Sequence, residues 1–278
     1  MPIDPRARLR AMSRRIPVAL VLCGIALAAL AGSARADDGG ERPPWLGVGI
    51  EDGERGVRIT EVIEGTPAAR AGILVGDEIA RIDGRPLTTP GDLLTRLQGR
   101  KSGDELALEV ARGARRLRVR ARLAPRLEDG EILERRLLDK PAPAFDLPLA
   151  SGSGNGDLAR LSGKVVVIEF LATWCGACKT TYRALADLDE RRRTDGLVVL
   201  GIGDESEPAL RALAAQERIP FAVLRDVGGG TRAAYRVSDL PTILVIDRSG
   251  VVRYAGIGGG LPVDHAVFAA ERALGDKP

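Results

Sequence analysis

Residues 165–178 have the sequence VVVIEFLATWCGAC. An apolar run of this length predicts a strand buried on both faces of a sheet, interrupted by a single acid, Glu169. The strand leads directly into Cys175 and Cys178, a CxxC motif that opens a predicted helix over about 175–194. Backbone N–H groups at a helix N-terminus stabilise a thiolate. We therefore predict that Cys175 is a nucleophile and that Cys178 attacks the mixed disulfide that Cys175 forms.

Two types of periodicity divide the rest of the chain. Residues 141–278 alternate strands with helices, which predicts an α/β sheet with helices on both faces. The predicted strands are 165–170, 197–201, 221–224, 242–246 and 251–255, and a second helix lies near 207–217. Short strands and glycine turns over 45–125 instead predict a small, mainly β domain. Its predicted elements are strands 45–51, 56–63, 77–82, 105–112 and 116–123 and a helix over 90–98. The charged segment 126–140 is interpreted as a partly helical linker.

The first 36 residues have the three parts of an export signal. A basic start precedes an apolar run over 16–32, and Ala34-Arg35-Ala36 offers a cleavage site. We predict a signal peptide over residues 1–36 and a periplasmic or other extracytoplasmic location. An uncleaved membrane anchor remains the alternative, because the apolar run is at the lower limit for crossing a bilayer.

Cysteine, histidine and charge content exclude several classes of protein. Apart from Cys23 in the apolar run, Cys175 and Cys178 are the only cysteines, and His265 is the only histidine. A zinc site needs four ligands and a Ser-His-Asp hydrolase needs a nucleophile motif, so we expect no metal and no cofactor. Beyond residue 36 the net charge is −2, which gives no reason to expect a nucleic-acid partner. The arginine-rich run over 112–126 is interpreted as a solvated face.

Several motifs at ordered spacing relate the second domain to a known family. They are AFDL at 144–147, VVVIEFLATWC at 165–175, DLPT at 239–242 and VIDRSG at 245–250. Residues 141–278 thereby resemble the thioredoxin superfamily, in particular the exported TlpA/ResA-like oxidoreductases. The resemblance implies a redox-active Cys175–Cys178 disulfide beside Trp174, and a cis Pro241 opposite it whose preceding backbone pairs with substrate. The alternative for Pro241 is an ordinary proline at the start of a strand.

Glu169 is the unusual residue of the buried strand. A buried carboxylate is costly unless it is paired or protonated, and thioredoxins carry an acid at the matching position. We therefore predict that Glu169 accepts the proton of Cys178; the alternative is that Glu169 faces solvent. The sequence departs from the family at Arg183, where a kinking proline is usual. It departs again at Thr181, where a glutamate is common, so no acid role is carried over to Thr181.

The first domain also has a family resemblance. LGVG at 46–49, PAARAG at 67–72, GDEI at 76–79, IDG at 82–84 and a helix from Pro90 resemble a PDZ domain of the kind found in HtrA-type exported proteases, over residues 45–125. The resemblance implies a groove for a C-terminal or internal peptide. Its candidate lining residues are Leu46, Gly47, Val48, Ile50, Leu94 and Leu97. For Leu94 and Leu97 a place in the core is the alternative.

These features predict a protein with a PDZ-like domain and a thioredoxin-like domain that reduces protein disulfides. Protein thiols and disulfides are the expected substrates, and a membrane thiol donor is one candidate for recharging the cysteines. The PDZ-like domain is expected to recruit a protein partner. A disulfide oxidase or isomerase and a non-enzymatic peptide-binding adaptor are the alternatives. A peroxiredoxin is disfavoured because the Pro-x-x-x-Thr/Ser-x-x-Cys loop is absent before Cys175.

Overall fold

Two six-stranded sheets with separate cores, and a two-stranded sheet, make up the part of the chain that the structure describes. In the computed structural model this part comprises residues 42–275. The predicted signal peptide over residues 1–36 and Cys23 lie outside the described residues. Within residues 42–275, no helix is both long enough and apolar enough to cross a membrane.

The first domain is built on a twisted antiparallel sheet. Its elements are β1 (Pro44–Trp45), β2 (Val48–Asp52), β3 (Val57–Val62), α1 (Pro67–Arg70), β4 (Glu78–Ile82), β5 (Arg85–Pro86), α2 (Pro90–Gln98), β6 (Glu105–Arg112), β7 (Arg115–Arg122) and β8 (Ala124–Pro125). The strand order is β2-β3-β4-β6-β7, with β5 on β4, while β1 pairs with β8. The period-two pattern of β6 turns Leu106, Leu108 and Val110 into the core. The strand order also places β2 at an edge of the sheet.

Helix α2 has the bounds that the sequence predicts. The Thr89 hydroxyl accepts a hydrogen bond from the Asp92 N–H, and the Asp92 carboxylate accepts one from the Thr89 N–H. This capping box, with Pro90 at the first helical position, fixes where the helix begins.

The predicted strand over 45–51 is wrong in one respect, because a turn at Leu46-Gly47 separates β1 from β2. Gly47 has φ of +84°, a left-handed conformation that favours glycine. A Cβ at this position would overlap the side chain of Thr66, whose hydroxyl donates to the Ile63 carbonyl at 2.6 Å. The close approach of Thr66 therefore requires glycine here and interrupts the strand.

The segment 126–140, predicted to be a linker, contains α3 (Asp129–Leu137), and this helix belongs to the core of the second domain. Its apolar face buries Leu133 and Leu137 among the residues of that core. Arg136 of the same helix makes a bidentate ion pair with Glu61 of β3, at 2.8 and 2.7 Å. Helix α3 thus packs against the core of the second domain and forms an ion pair with the first domain.

A six-stranded mixed sheet forms the second domain. Its elements are β9 (Leu149–Ser151), β10 (Val165–Phe170), α4 (Lys179–Arg192), β11 (Leu197–Gly203), α5 (Glu207–Gln216), β12 (Ala222–Arg225), α6 (Gly230–Ala234), β13 (Thr242–Ile246), β14 (Val252–Ile257) and α7 (Leu261–Gly275). The strand order is β14-β13-β10-β11-β12-β9. Strand β10 is central, parallel to β11 and antiparallel to β13.

Both faces of β10 are covered, as its continuous apolar sequence predicts. Val165 and Val167 pack against apolar side chains of α4 and α7. Val166 and Ile168 face the opposite layer, which includes Leu133 of α3 and the buried Tyr235. Glu169 continues the Val165–Val167 face, and this alternation places it beneath α4.

Candidate active site

The two cysteines lie at the carboxyl end of the central strand β10. They are joined in a disulfide within the turn that connects β10 to α4. Cys178 is fully buried, whereas Cys175 is 5% exposed and follows Trp174, which is 70% exposed. Of the two cysteines, Cys175 is therefore the one nearer to solvent.

The turn itself differs from the prediction, because α4 begins at Lys179 and not near Cys175. The Cys178 N–H donates to Sγ of Cys175 at 3.1 Å. The next N–H groups, those of Lys179 and Thr180, donate to the carbonyls of Gly176 and Ala177 three residues back. Tight turns thus precede the helix. A backbone N–H directed at Sγ of Cys175 stabilises negative charge on that sulfur, as the predicted nucleophile needs.

Pro241 immediately precedes β13, the strand that pairs with β10 on the side away from β11. The Leu240–Pro241 peptide bond is cis, and Leu240 packs against the apolar cluster that contains both cysteines. Thr242 is in register with Phe170, the last residue of β10, so Pro241 faces the beginning of the CxxC turn. The Pro241 carbonyl accepts from the Gly258 N–H at 2.8 Å.

Glu169 is completely buried, which excludes the alternative that it faces solvent. Burial disfavours its charged form and raises the pKa of Glu169 from 4.5 to about 8, while a hydrogen bond from Thr181 acts in the opposite direction. Oε1 of Glu169 contacts the Thr181 hydroxyl, and Oε2 has no hydrogen-bond partner among residues 42–275. A carboxyl group with this pKa can exchange a proton near neutral pH.

Two residues at this site were missed in the sequence. Thr181 contacts Glu169 and also donates to the Cys178 carbonyl at 2.6 Å. Glu205, in the loop after β11, accepts hydrogen bonds from the Thr173 N–H, at 2.6 Å, and from the Thr173 hydroxyl, and so anchors the turn before Cys175. The sequence signal for Thr181 was its spacing, since it places a hydroxyl group three residues after Cys178. No local signal in the sequence indicates Glu205.

The residues predicted for the peptide groove divide into two groups. Leu46 is buried in the core of the first domain, which corrects its assignment to the groove. Val48 and Ile50 are half-buried on the edge strand β2, with Gly47 before them. Leu94 is 55% exposed on α2, and Leu97 packs partly against the core. Helix α2 contacts β2, so an open strand edge and a helix face lie side by side.

No group of three or more His, Cys, Asp or Glu side chains between residues 42 and 275 is placed to hold a metal ion. The single histidine, His265, lies on the exposed side of α7.

A disulfide just after the central strand, a cis proline just before the neighbouring strand β13 and a buried acid on the central strand define a thioredoxin-like thiol–disulfide oxidoreductase. The model of the AhpC/TSA family matches residues 138–255, and the PDZ domain model matches residues 44–123.

Relatives make the assignment more specific. A thiol:disulfide interchange protein DsbE of Pseudomonas fluorescens is 33% identical over 150 residues, which cover 52% of this chain and 79% of that protein. A thiol-disulfide oxidoreductase ResA of Bacillus cereus is 30% identical over 120 residues, with 43% and 69% covered. A solved structure from Chlorobium tepidum, described as a thiol:disulfide interchange protein DsbE, is 29% identical with a TM-score of 0.45, over 49% of this chain and 99% of that one. The chain belongs to the DsbE/ResA family of thiol–disulfide oxidoreductases, and it carries a PDZ domain in addition.

Proposed function

We propose that the protein is an extracytoplasmic protein-disulfide reductase in which Cys175 attacks substrate disulfides and Cys178 releases the product. The observation that carries this proposal is the disulfide in which Sγ of Cys175, the less buried of the two cysteines, accepts a backbone N–H while Cys178 is fully buried. In this proposal an extended substrate segment pairs with the backbone that precedes the cis Pro241, and the exposed Trp174 offers an apolar contact. The export signal that the sequence predicts over residues 1–36 supports the extracytoplasmic location.

The charges around Cys175 favour reduction over oxidation. A strongly oxidising pair stabilises its thiolate, usually with positive charge. Here Gly176 and Ala177 carry no charge, and the carboxylate of Glu205 binds the turn only two residues before Cys175. Lys179, the nearest cation along the chain, is paired with Glu217 at 2.6 Å. A thiolate with so little positive charge around it leaves the disulfide form comparatively stable, which is the property of a reductant.

The reduction potential of the Cys175–Cys178 pair tests this direction. We expect a value near or below about −270 mV, that of thioredoxin, when the protein is equilibrated with dithiothreitol buffers and its thiols are counted by mass. A value near about −120 mV would instead identify an oxidase, and a pair that never exchanges would leave only the adaptor. The variant Glu205→Gln provides a second test. Because it removes the negative charge of the carboxylate, it should raise the reduction potential of the Cys175–Cys178 pair.

The PDZ domain is proposed to be of the HtrA type and to recruit the protein whose disulfide is reduced. The free edge of β2 can add an extended peptide as a further strand, and α2 forms the opposite wall of the groove. Tethering a partner this way raises the local concentration of its disulfide at Cys175.

Leu94→Glu tests the groove, because it places a charge where an apolar peptide side chain would lie. We expect about tenfold weaker binding of peptides that end in an apolar residue and a free carboxylate, measured by fluorescence anisotropy. Thr95→Glu is the matched control, because Thr95 lines the other side of α2 together with Asp83 and Arg100. Equal weakening by both substitutions would argue against the groove.

A further inference from the structure

The hydroxyl of Thr181 lies between the buried acid and the backbone of the second cysteine. Its Oγ1 is 2.6 Å from the carbonyl oxygen of Cys178 and also within hydrogen-bond distance of Oε1 of Glu169. A hydroxyl has one hydrogen to donate and can accept through its lone pairs. Thr181 can therefore donate to only one of these two oxygens at a time.

The proton on Glu169 decides which oxygen receives that hydrogen. A carbonyl oxygen only accepts, whereas a carboxyl group donates when protonated and accepts when ionised. When Glu169 is protonated, it donates to Oγ1 of Thr181, and the Thr181 hydrogen goes to Cys178. When Glu169 is ionised, the Thr181 hydrogen turns to the carboxylate, and the Cys178 carbonyl loses its side-chain donor.

We propose that Thr181 is a positioning residue for the resolving step: its hydroxyl supplies the hydrogen bond that allows the buried Glu169 to ionise and accept the proton of Cys178. This inference rests on the proposed function and assigns a role to a residue that replaces the family's usual acid.

The surroundings of Glu169 leave few other groups to fill this role. In the sheet, Glu169 is in register with Gly201 on β11 and Ile243 on β13, neither of which has a polar side chain. On the same face, α7 contributes apolar residues such as Val263 and Ala266. From α4, Tyr182 is the titratable neighbour; its pKa is raised by burial and then by the charge of Glu169, and its hydroxyl has no partner within the described residues.

The reaction step balances through these groups. After Cys175 has formed a mixed disulfide with the substrate, the Cys178 thiol gives its proton to ionised Glu169. The Cys178 thiolate attacks Sγ of Cys175, the bond between Cys175 and the substrate sulfur breaks, and that sulfur leaves as a thiolate. Glu169 is then neutral and releases its proton to water before the next cycle. Loss of the Thr181 hydroxyl would raise the proton affinity of Glu169 and reduce the fraction that is ready to accept.

The neighbouring residue supplies a matched control. Thr180 also donates its hydroxyl to a carbonyl of the CxxC segment, that of Ala177 at 2.7 Å, but it is exposed and does not contact Glu169. Thr180→Val and Thr181→Val therefore remove the same kind of bond at adjacent positions. Only Thr181→Val removes a hydrogen bond to the acid.

The experiment measures the protonation of Glu169 by its carboxyl infrared band in the oxidised full-length protein, identified as the band that Glu169→Gln removes. We expect Thr181→Val to move the midpoint of this band upward by about one pH unit, and Thr181→Ser and Thr180→Val to leave it in place. The rate of the resolving step can be followed by stopped flow with a disulfide-bonded peptide. It should rise with pH as Glu169 ionises, and the midpoint of this rise, the limb of the pH–rate profile, should move by the same amount. Thr181→Ala serves as a second variant if the valine disturbs folding.

Two results would overturn the inference: an unmoved midpoint in both Thr181→Val and Thr181→Ala, or a downward shift. A uniform loss of rate with no shift of the limb would show that Thr181 is merely structural. Because the infrared measurement needs no turnover, it still tests the inference if the wild-type protein fails to reduce the peptide. That failure would overturn the proposed function alone.

Discussion

Cys178→Ser is expected to convert the protein from a catalyst into a covalent trap for its substrates. Cys175, the less buried of the two cysteines, can still attack a disulfide, but the sulfur that would resolve the intermediate is gone. Turnover should fall on the order of a thousandfold, because the two cysteines act as a unit. A mixed disulfide should accumulate when the variant is mixed with a small disulfide-bonded protein. Non-reducing electrophoresis and peptide mass mapping would place the adduct on Cys175.

Cys175→Ser is the matched control for this experiment. It removes the less buried cysteine and leaves Cys178, which is fully buried, so we expect no adduct and no turnover. If Cys175→Ser formed the adduct and Cys178→Ser did not, the roles of the two cysteines would have to be exchanged. If neither variant formed one, the proposed reductase would lose its first step.

The elements that were predicted correctly are those whose signals are local. The bounds of β10 and β13 follow from continuous apolar runs, and those of α2 follow from Thr89 and Pro90 at its start. Helix α4 begins later than expected because the Cys178 N–H binds a sulfur, an arrangement that composition does not reveal. The role of α3 was missed because its leucines find their partners in a sheet far along the chain.

The candidate site shows the same division. The apolar run of β10 made the burial of Glu169 predictable, since packing covers the side chains on both faces of such a strand. Leu46 was misassigned because an apolar residue beside a glycine turn can face either a groove or the core. Thr181 and Glu205 were missed because their partners, Glu169 and Thr173, are brought to them only by the tertiary fold.

Glu169→Gln is expected to make the protein more stable at alkaline pH while it slows the resolving step. Burial raises the pKa of Glu169 to about 8 in the folded protein, whereas the unfolded chain releases this proton near 4.5. Between these values the folded state binds more protons than the unfolded state. Stability from this group is therefore fully present below about 4.5 and is lost as the pH rises to about 8. Glutamine stays neutral throughout and removes this loss.

The size of the effect follows from the width of that window. Each pH unit within it costs the wild type about 1.4 kcal/mol, so above the window the glutamine variant should be more stable by roughly 3–5 kcal/mol. Urea unfolding of the oxidised protein at a series of pH values measures this difference. Glu190→Gln, on the exposed face of α4, is the control and should run parallel to the wild type. Parallel curves for Glu169→Gln as well would mean that Glu169 does not carry a raised pKa.

The opposite signs of the two effects make this variant informative. Replacing a residue that serves only in packing would not make the protein both more stable and less active. Replacing a buried proton acceptor should do both. The rate loss should be largest above the pKa of Glu169, where the wild-type carboxylate is ionised and glutamine can accept no proton. The stability gain is largest in the same pH range. The pH range in which ionisation of Glu169 destabilises the folded wild-type protein would then be the same range in which the ionised carboxylate speeds the resolving step.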